Sequence, residues 1–201
     1  MAVALILGAV GVGGYPFYTD VMAARHQKTL KAKFAQEQAT QGDDRLKLLQ
    51  EYQSGQFADA SAVTEIIIPA IHVDAIVVQG TSEAALNVGA GHYPQTPLPG
   101  AVGNVAIAGH RTMNGHPFGD LDKLSPGDQV ILKTPFDVYT YQLVPAFGGH
   151  QNPWVTTPDD WSVISFPTQD SLLTLTTCNP KGQQTQRLVA RAMLTKTQAV
   201  A

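Results

Sequence analysis

Only one cysteine, Cys178, occurs in the 201 residues. That excludes an intrachain disulfide and any cysteine-built zinc cluster. Charge is thin as well. Charged residues make up 14% of the chain and the net charge is −3, so there is no basic field suited to nucleic acid. Of the six histidines (His26, His72, His92, His110, His116 and His150), none belongs to the histidine–glutamate–histidine pattern of a helix-borne zinc site. The serine-nucleophile elbow and the glycine-rich phosphate loop are both missing. His110, His116, Asp120 and Asp122 lie near one another in sequence but match no recognised ligand spacing, so no metal and no cofactor is expected.

What is present supports a packed domain, since 44% of the residues are hydrophobic. Met1 to Tyr18 carry no charge. As a helix that run is about 27 Å long, close to the hydrocarbon thickness of a bilayer. Residues 1–22 are therefore expected to form a transmembrane signal anchor with the rest of the chain outside the cell. A buried core helix is the alternative. Residues 23–61 are polar, rich in helix formers and poor in β-branched residues. They read as one helix, a break at Gln41–Asp44 and a second helix. Such a stretch suits a spacer between membrane and domain, or a solvated helix with no specific role.

From residue 62 to residue 201 the pattern becomes short β-rich runs. Strands are expected at Thr64–Pro69, Val73–Val78, Asn104–Ala108, Gln129–Thr134, Val138–Val144, Ser171–Thr177 and Arg187–Leu194, with one short helix at Ser82–Val88. Turn signals at Pro97–Gly100, Ser125–Asp128, Thr134–Asp137 and Asn179–Gly182 separate them. This spacing predicts an all-β barrel or sandwich.

The strand Ser171–Thr177 runs into the lone cysteine. Alternation sets Leu173, Leu175 and Thr177 on one face and Leu172, Thr174, Thr176 and Cys178 on the other. A turn follows, then a returning strand begins at Arg187. If the two strands are neighbours, a thiol and a guanidinium meet. The pair makes chemical sense: a thiol is nucleophilic as thiolate, and an arginine can hold a developing oxyanion. Arg187 and Arg191 share a face but stand about 13 Å apart along a strand, so only one can serve. Arg187, nearer the turn, is favoured, while Arg191 reads as a surface charge or salt-bridge partner. For the proton carrier, His110 stands where the run Asn104–Gly109 opens into a polar loop, and Gly109 allows an unusual backbone before it. His150 is the strongest competitor. His72, inside a strand-like run, reads as structural.

These residues resemble the sortase family. The run Thr174-Leu175-Thr176-Thr177-Cys178 resembles its nucleophile signature, Arg187-Leu188-Val189 its arginine-bearing strand, and Ala108-Gly109-His110-Arg111 its histidine motif. Further similarity runs through Gly91-His92-Tyr93-Pro94, Pro99-Gly100, Pro117-Phe118 and Pro126-Gly127-Asp128, covering about residues 62–195. The motifs look most like class E sortases of actinobacteria. The resemblance implies an eight-stranded sortase-type β-barrel with short helices. It implies a cysteine transpeptidase that cuts an LPxTG or LAxTG sorting signal between Thr and Gly and passes the acyl group to an amine of the peptidoglycan precursor lipid II. Surface proteins bearing that signal are then the partners, and cell-wall anchoring the outcome. Cys178 is the implied nucleophile, His110 the proton carrier and Arg187 the oxyanion holder. Thr177 and Asn179 are implied to contact substrate, Asn179 through its backbone N–H. The alternatives are a class C-like pilin polymerase with a lysine acceptor, a catalytically silent scaffold of the same fold, and a general cysteine protease.

Overall fold

The computed structural model describes the backbone of residues 2–200 and the side chains of residues 17–200. Among the described residues three α-helices and eleven strands are formed: α1 Ala2–Gln38, α2 Gly42–Gln53, β1 Ala62–Ile68, β2 Val73–Gln79, α3 Glu83–Val88, β3 Ala90–His92, β4 Gly103–Ala108, β5 Gln129–Lys133, β6 Asp137–Leu143, β7 Ala146–Phe147, β8 His150–Gln151, β9 Trp154–Thr156, β10 Ser171–Asn179 and β11 Gln186–Ala199.

The sheet runs β10-β4-β3-β2-β1-β5-β6-β11, and pairing of β10 with β11 closes it into an eight-stranded barrel. β9 adds to the outer edge of β11 along Arg187–Val189. Most neighbours are antiparallel. β2–β3 and β10–β4 are parallel, each reached by a crossover. Alternation fills the interior: Ile66 and Ile68 of β1, Val105 and Ile107 of β4, Leu173 and Leu175 of β10, and Leu188 and Ala190 of β11 share one core. The alternate residues of these strands point to the other face, Cys178 among them. This is the face split expected for the cysteine-bearing strand.

The seven expected strands are all present within a few residues. Ser82 caps α3, its hydroxyl accepting the Ala85 N–H at 3.1 Å. β3, β7, β8 and β9 were not foreseen. They are two or three residues long, too short for alternation to register. His72 is not in a strand: it occupies the left-handed region, with φ 55°, in the turn before β2. Gly109 is needed for a reason other than backbone freedom. Its φ is not left-handed, and a Cβ there would stand 2.6 Å from the Phe118 ring.

Residues 2–53 form two helices with the break at residues 39–41. α1 is not a free spacer, because its C-terminal part lies along the barrel. Ala23 and Phe34 are buried. The Gln27 amide accepts from Ile76 N at 2.7 Å and donates to Ile76 O and Val88 O at 3.0 and 2.8 Å, serving as an extra rung for β2. Lys31 pairs with Asp74 at 2.6 Å. The anchor expected over residues 1–22 falls mainly on side chains outside the described residues. Among the described residues no helix is long and apolar enough to cross a membrane.

Candidate active site

The site is a row on the barrel's outer face. In the antiparallel pair β10–β11, Cys178 is the register partner of Arg187. Directly opposed residues project to the same side of a sheet, so thiol and guanidinium share a face. In the parallel pair β10–β4, Thr174 stands beside Ala106 and Thr176 beside Ala108, and the ladder continues through Gly109 N–H to Thr176 O at 3.0 Å. His110 lies two residues beyond Ala108, the last β4 residue paired with β10. Strand spacing of about 4.8 Å sets Cys178 beside Arg187, with His110 in the loop that leaves β4, the other neighbour of β10. All three are half-buried, so they are sheltered but reachable.

Burial pushes the His110 imidazole below the ordinary histidine value, so it is neutral at pH 7 and free to accept a proton. Arg187 donates to Gln184 O and Gln186 O at 3.2 and 3.0 Å. Among the described residues no carboxylate pairs with it, so its charge is available to a developing anion.

Thr177 and Asn179 flank the thiol, with their side chains engaged inside the protein. Thr177 is 3% exposed and its hydroxyl donates to Gly109 O at 2.7 Å, tying β10 to the chain just before His110. The Asn179 side chain accepts from Arg111 and donates to Gln186 Oε1 at 2.7 Å.

The competing residues lie elsewhere. His150, on β8, is exposed and stacks on Trp154 with ring centres 5.8 Å apart. His92 is buried between Gln79 Oε1 at 2.8 Å and Pro97 O at 3.0 Å. Arg191, expected at the surface, is 2% exposed. Its Nε donates to Thr174 Oγ1 at 3.0 Å, another donor reaches Val163 O, and its guanidinium carbon lies 4.1 Å from the centre of the Phe147 ring, 4.4 Å from Phe166 and 5.3 Å from Trp154. Residues 144–168 cover it, and a surface role fails because that connection folds back over the middle of β11.

Among the described residues no group of three or more His, Cys, Asp and Glu side chains is placed to hold a metal. The acidic residues near His110 are paired instead: Asp120 with Lys123 and Lys181, and Asp122 with Arg111. A cavity of about 520 Å³ lies behind the loop that follows His110, walled by α1, the turn at His72 and His116. It does not reach Cys178, His110 or Arg187. Two contributors to the row escaped sequence reasoning. Tyr93 OH lies 3.1 Å from Thr176 Oγ1. Arg111 stands under the nucleophile, and its place directly after His110 was the one signal for it.

A closed eight-stranded barrel carrying a lone cysteine at the end of a strand, flanked by histidine and arginine on its two neighbours, is the architecture of a cysteine transferase. The sortase-domain family profile matches residues 66–195, and the chain belongs to the sortase family. It is 30% identical to the sortase SrtE1 of Streptomyces coelicolor over 149 residues, covering 67% of this chain and 41% of that protein. The chain thus matches less than half the length of that relative. Among solved structures it resembles sortase E of Streptomyces avermitilis, at 33% identity and TM-score 0.62, over 72% of this chain and 94% of the other. It also resembles a sortase D5 transpeptidase of Clostridium perfringens, at 25% identity and TM-score 0.73, over 86% and 99%.

Proposed function

We propose that this sortase is a transpeptidase that cleaves an LPxTG- or LAxTG-type sorting signal between Thr and Gly. The acyl group then passes to an amine of the peptidoglycan precursor, and the protein bearing the signal is anchored to the cell wall. The row of His110, Cys178 and Arg187 across β4, β10 and β11 carries this reading. The Cys178 sulfur attacks the Thr carbonyl carbon while neutral His110 takes the thiol proton. Arg187 and the Asn179 backbone N–H hold the oxyanion, and the backbone beside Thr177 lies along the peptide. When the C–N bond breaks, His110 returns the proton to the departing glycine amine and a thioester remains on Cys178. The acceptor amine then attacks the thioester, its proton passes to His110, and the sulfur leaves and is reprotonated.

The uncharged apolar run Met1–Tyr18 supports a single-pass anchor that keeps the barrel on the outer face of the membrane. The class E resemblance of the nucleophile and histidine motifs supports the alanine-containing signal as the preferred one.

The test uses the full chain in detergent, incubated with LAxTG and LPxTG peptides with and without an amine acceptor, and read by intact mass. An acyl adduct on Cys178 that leaves as an amide when amine is added is the expected result. A folded protein with a titratable thiol and no adduct from either peptide would remove the transpeptidase reading.

A further inference from the structure

We propose that Arg111 is a positioning residue for acyl transfer: it locks the strand end that carries Cys178 to the loop that carries His110. This rests on the reading of those two residues as nucleophile and proton carrier.

Arg111 follows His110 directly, yet its side chain turns inward and is 5% exposed. Nη1 donates to the Cys178 carbonyl oxygen at 3.3 Å and also to Asn179 Oδ1. Nη2 pairs with Asp122 Oδ1 at 3.1 Å. Asn179 passes the connection on to Gln186, next to Arg187 in the chain. One chain of hydrogen bonds, charge-assisted at Arg111 and neutral from Asn179 to Gln186, therefore joins the elements bearing all three proposed catalytic residues.

A purely structural ion pair explains this poorly. Asp122 is 45% exposed, so it offsets little of the cost of burying a guanidinium. Nε is buried with no hydrogen-bond partner among the described residues, an unusual state for a group placed only for stability. What the burial secures is a planar guanidinium whose Nη1 reaches the carbonyl of the nucleophile's own residue while Nη2 holds Asp122, a spread of donors that a lysine reproduces only in part. Arg111 is 7% exposed, and the cavity it helps to line does not reach Cys178, His110 or Arg187. Its effect should therefore fall on turnover, because small displacements of a nucleophile from its proton carrier are costly.

The test compares full-length Arg111→Gln, Arg111→Lys and Asp122→Asn with wild type in detergent. One arm measures kcat and KM for acyl transfer from a sorting-signal peptide. A second measures the rate of Cys178 alkylation by iodoacetamide, which needs no substrate. Arg111→Gln should lower kcat about 10- to 100-fold and move KM by less than about threefold. Arg111→Lys should regain part of kcat, and Asp122→Asn should fall between wild type and Arg111→Gln. Alkylation should slow at least about threefold in Arg111→Gln, since the strand end that carries the sulfur is then no longer held against the loop of its proton carrier. Raised KM at unchanged kcat would overturn the proposal, as would wild-type values in both arms, or a lysine variant no better than glutamine. If wild type transfers no acyl group but the alkylation rates separate as stated, the transpeptidase reading fails and the positioning role stands. If Arg111→Gln does not fold, the half-exposed Asp122→Asn decides, with wild-type kcat and alkylation sinking the proposal.

Discussion

Arg187 and Arg191 lie on one strand and project from one face, yet their surroundings oppose each other. Arg187 sits at the open end of β11, half-buried, held by two carbonyls of its own turn and facing Cys178. Arg191 sits under residues 144–168, enclosed by Phe147, Phe166 and Trp154. Burial lowers its pKa to about 10, and aromatic faces and carbonyls stand in for a carboxylate partner. The same side chain thus serves as an available charge at one end of the strand and as a rivet four residues later. The difference comes from what folds over each position. Around Arg191 the backbone is tied down as well, with Asn152 donating to Arg191 O at 2.5 Å and accepting from Arg191 N–H at 3.0 Å.

Substitutions along the row should separate these two environments. The largest effect is expected from Cys178→Ala, which should abolish the acyl adduct in intact-mass spectra and leave the thermal midpoint near wild type, since the thiol makes no structural bond. Arg187→Ala should lower kcat/KM by about 10²- to 10³-fold, the cost of removing an oxyanion donor, again with little change in thermal midpoint. Arg191→Ala should reverse that profile. A loss of about 3 kcal/mol in denaturant unfolding is expected from the emptied aromatic enclosure and the lost hydrogen bonds to Thr174 and Val163, while turnover per folded molecule stays far closer to wild type. Arg191→Met, which keeps the volume and removes the buried charge, should cost less than Arg191→Ala. Should Arg191→Ala prove inactive but stable, the assignment of the two arginines would be wrong.

Acidity sharpens the comparison further. Burial depresses the pKa of both His110 and His92 in the folded chain. The unfolded imidazoles therefore take up protons first, from about pH 6.5 downward, and stability present above that pH is lost as pH falls toward the folded values. Unfolding midpoints measured between pH 8 and 5 should fall, and His92→Gln should flatten the slope. The smallest effect belongs to Asp120→Asn. Hydrogen bonds from Lys123 and Lys181 hold that carboxyl at about 2, but it is an exposed group, and at about 0.15 M salt no resolvable change in thermal midpoint is expected.

Much of the barrel could be read from the chain because its long strands obey one physical rule. Runs such as Leu172–Cys178 alternate an apolar inner face with an outer one, and turn residues punctuate them. β3, β7, β8 and β9 broke no rule; they are held by neighbours and not by any pattern of their own. The docking of α1 was equally invisible, since Gln27 and Lys31 look like ordinary surface residues until β2 is beside them. At the site, a lone cysteine at a strand end and a nearby arginine were legible. Arg187 is favoured by its place nearer the turn, but the enclosure of Arg191 and the inward turn of Arg111 depend on burial, which local sequence does not encode.

Local sequence thus specified the strand pattern, the face on which Cys178 emerges and the family motifs, because side-chain periodicity and turn chemistry act over a few residues. Tertiary contacts settled the rest. The β10–β11 register puts Cys178 opposite Arg187, the pairing of β10 with β4 brings the loop of His110 to the same end of the barrel, and the fold of residues 144–168 over β11 sets the two arginines apart. Both depend on segments far apart in the chain meeting in space, and burial and electrostatics take their values only there.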